Sequence, residues 1–464
     1  MITLRNIYTL LFFIGLFFIP FNSFEGLSFL GEYKNEAASY FFLLGFFLLG
    51  IETVIKGSIN IPYKNVIFKL ILLFVAWCIL STLLNLPTVL ESYYKQTSGL
   101  NRFVRQLISL SISTLVFLIL YWNVVRKLSY IQILQWIRKV LLWSLIFVFI
   151  YGIIETAIVI YGIGQLMPVL ELFNYFPFLD VTLNNLGRIS SVSYEVPALG
   201  NYLITVSAWM FSYMATEKSK LKYMPTLMVL MLMFFSGSRT ALVNVSLQLL
   251  LFLFFLYFKK EYKVQITHML LSVLTLFMVV FAFKSDTIIS TFKEKVESLD
   301  FTKKTDHDLS NRTRFGMQYA SLQVFIKNPI VGVGLGQDTY HKVYEYPFWS
   351  TYNNWEYKYR YRNQKIKSFP SGYNIYTRLL AETGIIGFLI FMTLLFVCWR
   401  KSLFLWIKSN NYEVSIIAII LLISFTGLFV NWLQTDFFRQ YGVWLSMAIL
   451  IKLWQEEDPI IKSA

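Results

Sequence analysis

Long apolar runs, rather than amphipathic stripes, place the first constraint on this chain. They recur at about 7–20, 37–55, 66–86, 103–122, 131–162, 195–215, 222–235, 239–258, 265–283, 373–399, 414–432 and 437–455. Several approach the ~20 residues that a helix needs to cross a bilayer. Hydrophobic residues make up 56% of the 464 and charged residues 14%, against roughly 45–50% and about 25% in soluble domains. A single soluble core could not bury so much apolar surface, because cores stop growing near ~250–300 residues. Soluble, disordered and secreted disulfide-scaffold classes are excluded. The expected fold class is an all-α polytopic membrane protein with about twelve transmembrane helices. The first and seventh runs are short, and the fifth is long enough to project beyond the bilayer or to break.

The net charge of +15 reads first as orientation, because Lys and Arg gather in cytoplasmic loops. With the N-terminus inside, the cytoplasmic ends and loops hold nineteen basic residues and the short outer loops hold seven. Both termini are therefore expected in the cytoplasm. Arg5 before an apolar stretch imitates a signal peptide, but no small-residue cleavage site follows at Phe21-Asn22-Ser23-Phe24. That stretch is read as a retained first helix. Cys78 and Cys398 both sit in apolar runs and suggest neither a disulfide framework nor a redox motif.

Residues 284–372 form one long outer loop with a net charge of +5. Long loops translocate regardless of charge, so orientation does not account for it. The expected division is 1–283 as an N-terminal bundle of about nine helices, 284–372 as the extracytoplasmic loop, and 373–464 as about three C-terminal helices. The loop's Tyr, Trp and Phe content argues against disorder. Residues 314–327 have helical apolar spacing, and Asn328-Pro329 ends the run.

Several groups carry possible chemistry. Ser236-Gly237-Ser238-Arg239-Thr240 makes a tight outer turn between the seventh and eighth runs. Its guanidinium offers fork donors for phosphate, or it snorkels at the interface. Arg312 and Arg314 stand at the start of the loop helix; a solvated charge pair is the alternative. Gly332-Val-Gly334-Leu-Gly336 lacks the Lys-Ser/Thr and the strand–helix unit of nucleotide loops. It is read as a glycine turn re-entering the membrane face. Asn374 and Arg378 share a helix face, with Glu382 a turn further on; such a ladder binds substrate or glues helices. Arg188 and Glu195 flank the entry to the sixth run, where a carboxylate suits a helix start. Lys358, Arg360, Arg362, Lys365 and Lys367 alternate with Tyr in a stripe like those that bind nucleic acid. On the outer face an acidic glycan, a pyrophosphate or anionic headgroups fit better, with a solvated loop as the alternative. Asp306-His307-Asp308 and the other two histidines make no metal-ligand spacing.

Taken in order, Arg188…Tyr194-Glu195-Val-Pro197, Ser236-Gly-Ser-Arg239-Thr-Ala-Leu, Arg314…Asn328-Pro-Ile-Val-Gly-Val-Gly-Leu-Gly336 and Asn374…Leu-Leu-Ala-Glu382-Thr-Gly-Ile-Ile-Gly387 resemble the bacterial O-antigen ligase/polymerase superfamily. The resemblance implies a GT-C-like glycosyltransferase bundle of about a dozen helices with a large periplasmic loop. It implies an undecaprenyl-diphosphate-linked glycan as donor, without nucleotide sugar, metal or other cofactor. By motif, it carries over Arg239, and Arg314 with Arg312 as the near alternative. Ligases of the family usually have His immediately before the last motif Asn, where this chain has Tyr373. Tyrosine, with an unperturbed pKa near ~10, is a poor general base at neutral pH. The polymerase branch is therefore expected, with a ligase and a lipid-linked oligosaccharide flippase as rivals.

The expected chemistry joins lipid-linked repeat units at the outer face of the bacterial inner membrane. Arg239 and Arg314 would neutralise the departing diphosphate, and Glu195 would orient or deprotonate the acceptor hydroxyl. Arg188, Arg312, Tyr373, Asn374, Arg378, Lys358, Arg360 and Arg362 are the expected substrate-binding residues. Expected partners are the undecaprenyl-diphosphate-linked donor and acceptor, membrane lipids, a flippase and a chain-length regulator, with no nucleic acid.

Overall fold

The computed structural model describes residues 3–183, 187–259, 263, 267 and 306–463. The expected ninth span, 265–283, falls almost wholly outside them, as does the first part of the loop, 284–305. The side chains of Asp306, His307 and Asp308 are also outside what is described.

The principal helices are α1 (Leu4–Phe17), α2 (Ala37–Lys56), α3 (Val66–Leu84), α4 (Gly99–Val125), α5 (Tyr130–Val159), α6 (Val196–Thr216), α7 (Met224–Ser236), α8 (Arg239–Tyr257), α9 (Asp306–Lys327), α10 (Ile375–Lys408), α11 (Tyr412–Asn431) and α12 (Tyr441–Ser463). Among the described residues seven of these, α2, α3, α4, α5, α8, α10 and α11, are long and apolar enough to cross a membrane. Helix α1 is apolar but only 14 residues long. Helices α6, α7 and α12 take up three further apolar runs without meeting both conditions.

Helix α11 is the most enclosed span. It packs against α6, α8, α10 and α12. Lipid supplies no hydrophobic drive between helices, so close packing and buried amides hold them together. Gln248 of α8 shows this, since its Nε2 donates to the Ile204 carbonyl of α6 at 3.1 Å and the Ile423 carbonyl of α11 at 3.3 Å. Gly427 leaves the room that the Gln248 side chain fills.

Helix α9 begins at Asp306, eight residues before the start expected from apolar spacing, and ends before Asn328 as anticipated. Its first turns are polar, so apolar periodicity could not find them. The glycine turn after it docks onto a break in α10. Gly384 has φ 63° and ψ −169°, in a region that is essentially reserved for glycine. A helix broken there leaves carbonyls without intrahelical partners. Val333 N–H donates to the Ala381 carbonyl at 3.0 Å and Gly334 N–H to that of Glu382 at 2.8 Å. Trp77 Nε1 of α3 donates to the Thr383 carbonyl at 2.9 Å. Where the helix resumes, Ile385 N–H donates to the Pro329 carbonyl at 2.8 Å. Ser81 and Asn85 at the end of α3 bond the carbonyls of Val331 and Gly332. Two motifs that looked separate are thus halves of one joint.

A Cβ at Gly384 would collide with the Ile330 carbonyl, and one at Gly332 would sit 2.5 Å from the Glu382 carbonyl carbon. Gly57 also has positive φ (69°) but meets nothing within 4 Å. Gly384→Ala therefore combines backbone strain with overpacking, each about 1–3 kcal/mol. It should lose the monodisperse peak on size-exclusion chromatography in detergent, while Gly57→Ala should cost about 1 kcal/mol and keep it.

Candidate active site

The turn between α7 and α8 fixes the first arginine. Gly237 closes α7 in the left-handed region (φ 61°), and Ser238 caps α8 by accepting from Ala241 N–H at 3.2 Å. With the stop and the start two residues apart, Arg239 must be the first residue of α8. The absent side chain at Gly237 makes room for Arg188, whose Cγ would lie 3.2 Å from a Cβ there. The backbone just after Arg188 is held by Glu155, a carboxylate of α5 with no solvent exposure. It accepts from the backbone N–H of Ser190 at 3.1 Å and of Ser191 at 2.7 Å. From the loop, α9 brings Asn311, whose Oδ1 accepts from Arg239 Nη2 at 3.3 Å. The neighbouring charges acting on Arg239 are those of Arg314 and Arg188. Arg188, Arg239 and Arg314 come from three separate stretches of chain and converge.

Tyr373 completes this group. The Arg314 guanidinium lies 5.4 Å from its ring centroid. Its hydroxyl is 2.7 Å from that of Tyr361. Burial raises its pKa above the ordinary tyrosine value, against the lowering pull of the Tyr361 hydrogen bond and of Arg314 and Arg360. Tyr373 is therefore a neutral hydroxyl at physiological pH. It occupies positive φ (54°), an uncommon state for an aromatic residue. Asp436, between α11 and α12, holds it there: its carboxylate accepts from Gly372 N–H, and from Ser371 Oγ at 2.7 Å.

The other expected residues are placed differently. Asn374 is the N-cap of α10, accepting from Tyr376 N–H at 2.9 Å and Thr377 N–H at 3.2 Å. Arg378 is buried, with its guanidinium committed to Glu382 (2.9 Å), the Asp436 carbonyl (2.6 Å) and Gln106 (2.6 Å). It serves a structural network that includes Glu32, to which Gln106 and Ser109 also donate, rather than joining the three arginines. The helix-glue alternative describes Arg378 and Glu382 better than substrate binding. Glu195 is exposed at the start of α6 and accepts from Tyr194 Oη at 2.8 Å. Gly200, further along the same helix, packs against Ser238 beside Arg239. Arg312 bonds the Tyr352 carbonyl within the loop, on a different course from Arg314.

Lys358, Arg360 and Arg362 are exposed on a short helical segment, Glu356–Tyr361, and the residue after it. A hairpin following α3 anchors this segment. Its strands, Tyr93–Tyr94 and Thr97–Ser98, are joined by Lys95 and Gln96, both at positive φ. Lys95 is only 1% exposed; its Nζ donates to the carbonyls of Arg360 at 2.8 Å and Ile366 at 3.2 Å. Tyr94 Oη donates to the Tyr361 carbonyl at 2.8 Å. Through Tyr361 the hairpin is tied to Tyr373.

Clustered guanidiniums repel one another, and an anion with several oxygens relieves that repulsion through bidentate bonds. A diphosphate is such an anion. Arginine cannot be deprotonated here, so the cluster can bind and neutralise but cannot act as a base.

Residues 224–392 match the family model described as O-antigen ligase. The match supports the O-antigen ligase/polymerase superfamily. It runs from α7 into α10, so Arg239, Arg314 and Tyr373 fall inside it while Arg188 and Glu195 lie before it. Members of the family are glycosyltransferase-like enzymes, and the chain is an integral membrane protein. No curated protein matches the sequence.

Sequence reasoning missed Glu155, Asn311, Tyr361 and Asp436. Asp436 had a visible signal, as a lone carboxylate in the short segment between the last two apolar runs. Asp436→Ala would leave the Gly372 N–H and Ser371 hydroxyl without their acceptor, a cost of about 1–3 kcal/mol. Glycan transfer should fall at least about tenfold, with a lowered melting temperature, and Asp436→Asn, which keeps one acceptor oxygen, should restore part of both.

Proposed function

We propose that the chain polymerises lipid-diphosphate-linked oligosaccharide repeat units at the outer face of the bacterial cytoplasmic membrane. In this reading twelve helices span the membrane in a GT-C-like bundle, both termini are cytoplasmic, and residues 284–372 lie outside. The observation that carries the proposal is the convergence of Arg188, Arg239 and Arg314, with the neutral ring of Tyr373 against Arg314.

In the transfer, an acceptor sugar hydroxyl attacks the anomeric carbon of the donor. The bond from that carbon to the diphosphate oxygen breaks, and the lipid diphosphate leaves with the electron pair. Negative charge grows on the departing oxygens, where Arg239 and Arg314 stabilise it through charge-assisted hydrogen bonds. Arg188 contributes a third cation to the same anion. The proton of the acceptor hydroxyl passes to a base, for which Glu195 is the candidate carboxylate. Tyr373, kept neutral by burial, positions sugar or phosphate as a hydrogen-bond donor. Lys358, Arg360 and Arg362 extend the positive surface toward an acidic glycan chain. The diphosphate leaving group supplies the driving force.

The second reading, transfer of a finished chain to a lipid A core or another acceptor, draws on the description of the matching family as a ligase. The tyrosine at position 373, where ligases usually carry histidine, favours polymerisation. Glycan ladders from a deletion strain separate the readings. Single repeats on the acceptor identify a polymerase, long chains on the carrier lipid a ligase, and repeats trapped inside the cell a flippase.

Complementing that strain with Arg239→Ala or Arg314→Ala should leave chain extension lowered by at least about two orders of magnitude, a loss typical of removing a transition-state donor, with normal amounts of protein in the membrane. Normal long chains in both variants would refute the arginine assignment. Because Tyr373 stays protonated well past neutrality, transfer measured between about pH 6 and 9 should show no inflection that Tyr373→Phe removes.

A further inference from the structure

A second site stands away from the arginine cluster, at the other end of the bundle. A cavity of 660 Å³ opens between α1, the end of α4 and the start of α5. Arg5, Lys127 and Lys139 lie along its lining. Its walls are two helical stripes. On α5, Gln132, Trp136, Lys139, Val140 and Trp143 follow one another at helical spacing and face it together. On α1, Asn6, Thr9, Leu10 and Phe13 do the same. Phe13 and Trp136 meet edge to face at 6.0 Å.

Polarity changes along the groove. Arg5, Lys127 and Gln132 mark one end, Phe13 and Trp143 mark the other, and Lys139 stands between them on a long stem that leans back toward the polar end. The stripe from Gln132 to Trp143 covers about 16 Å along the helix. That length joins a headgroup layer to the upper part of the acyl chains. Trp136 and Trp143 are 43% and 57% exposed, so their outer faces are left to lipid. Tryptophans at such positions are characteristic of the membrane interface.

The charge at the polar end is unbalanced. Lys127 feels Arg5, Arg126 and Lys56 as neighbouring cations and Glu52 as the neighbouring carboxylate. Burial together with Arg5 lowers the pKa of Lys127, an arrangement that a bound anion would relieve. Lys127 Nζ is oriented by Tyr8 Oη at 3.2 Å.

We propose that this groove binds one anionic glycerophospholipid of the cytoplasmic leaflet, its phosphate among Arg5, Lys127 and Lys139 and its acyl chain along Trp136 and Trp143. The cytoplasmic placement rests on the charge asymmetry of the loops. The lipid chemistry rests on the groove itself and is independent of the reaction at the outer face.

The test uses the full-length protein in detergent, with phosphatidylglycerol or phosphatidylcholine added and bound lipid counted by native mass spectrometry. Wild type should prefer phosphatidylglycerol. Arg5→Ala and Lys139→Ala, both at exposed positions, should each weaken that binding about fivefold, as expected of one cation near a lipid phosphate. Trp136→Ala should weaken both lipids. Lys218→Ala with Lys220→Ala, on the turn before α7, should change nothing. Lys127 is left intact because its contact with Tyr8 also serves packing, and unchanged elution on size exclusion checks each variant's fold. Equal binding of the two lipids, an equal loss in the Lys218/Lys220 variant, or displacement of the lipid by glycerol phosphate at millimolar concentration would each overturn the proposal.

Discussion

The hydrogen bonds from Val333 and Gly334 to the carbonyls beside Gly384 decide where the outer segment sits on the bundle. They fasten the chain after α9 to the broken part of α10, and α3 joins through Trp77, Ser81 and Asn85. In a membrane a helix break is tolerated only where its freed backbone groups find partners. Here the glycine turn supplies them, and in return the break gives the turn a fixed seat. The distance between Arg314, upstream of the seat, and Tyr373, at the start of α10, follows from that attachment.

Arginines fall into two kinds in this protein. Arg378, Arg439 and Arg102 stand beside Glu382, Glu36 and Glu32, in a network buried at Arg378–Glu382 and partly buried at the other two pairs, which ties α4, α10 and the segments before α2 and α12. Such charges are costly to bury unless paired, and these are paired. Arg188, Arg239 and Arg314 instead stand close enough to act on one another, and Arg239 also donates to Asn311. The contrast sets guanidiniums that hold helices apart from the three that the proposed function assigns to the lipid diphosphate. It also explains why Arg378, drawn into the candidate site by its spacing from Asn374, belongs to the scaffold.

Much of the architecture was legible because, among the described residues, the apolar runs declare their own helices. The turn at Arg239 was legible for a similar reason, since Gly237 and Ser238 are local stop and start signals. Tyr373 stood out by its place before the Asn of a motif. Glu155, Asp436 and the Lys95 hairpin could not be read in the same way. Their meaning lies in pairs far apart in the chain: Glu155 with Ser190 and Ser191, Asp436 with Gly372, Lys95 with Arg360. The glycine turn was recognised as a turn, but its docking partner was two motifs away. The early start of α9 escaped because its first turns carry Asp, Asn and Arg instead of an apolar stripe.

The attachment of the glycine turn has a mechanical consequence. A movement that lifted residues 329–337 off α10 would strand the Ala381 carbonyl and the Ile385 N–H and leave the Glu382 carbonyl to Ser81 alone. Residues 343–372 lie beyond this seat and are held instead by the Tyr94–Lys95 hairpin, through the carbonyls of Arg360, Tyr361 and Ile366. Arg314 precedes the seat and the basic, Tyr-rich segment follows it, so the two are fixed to the bundle by separate attachments.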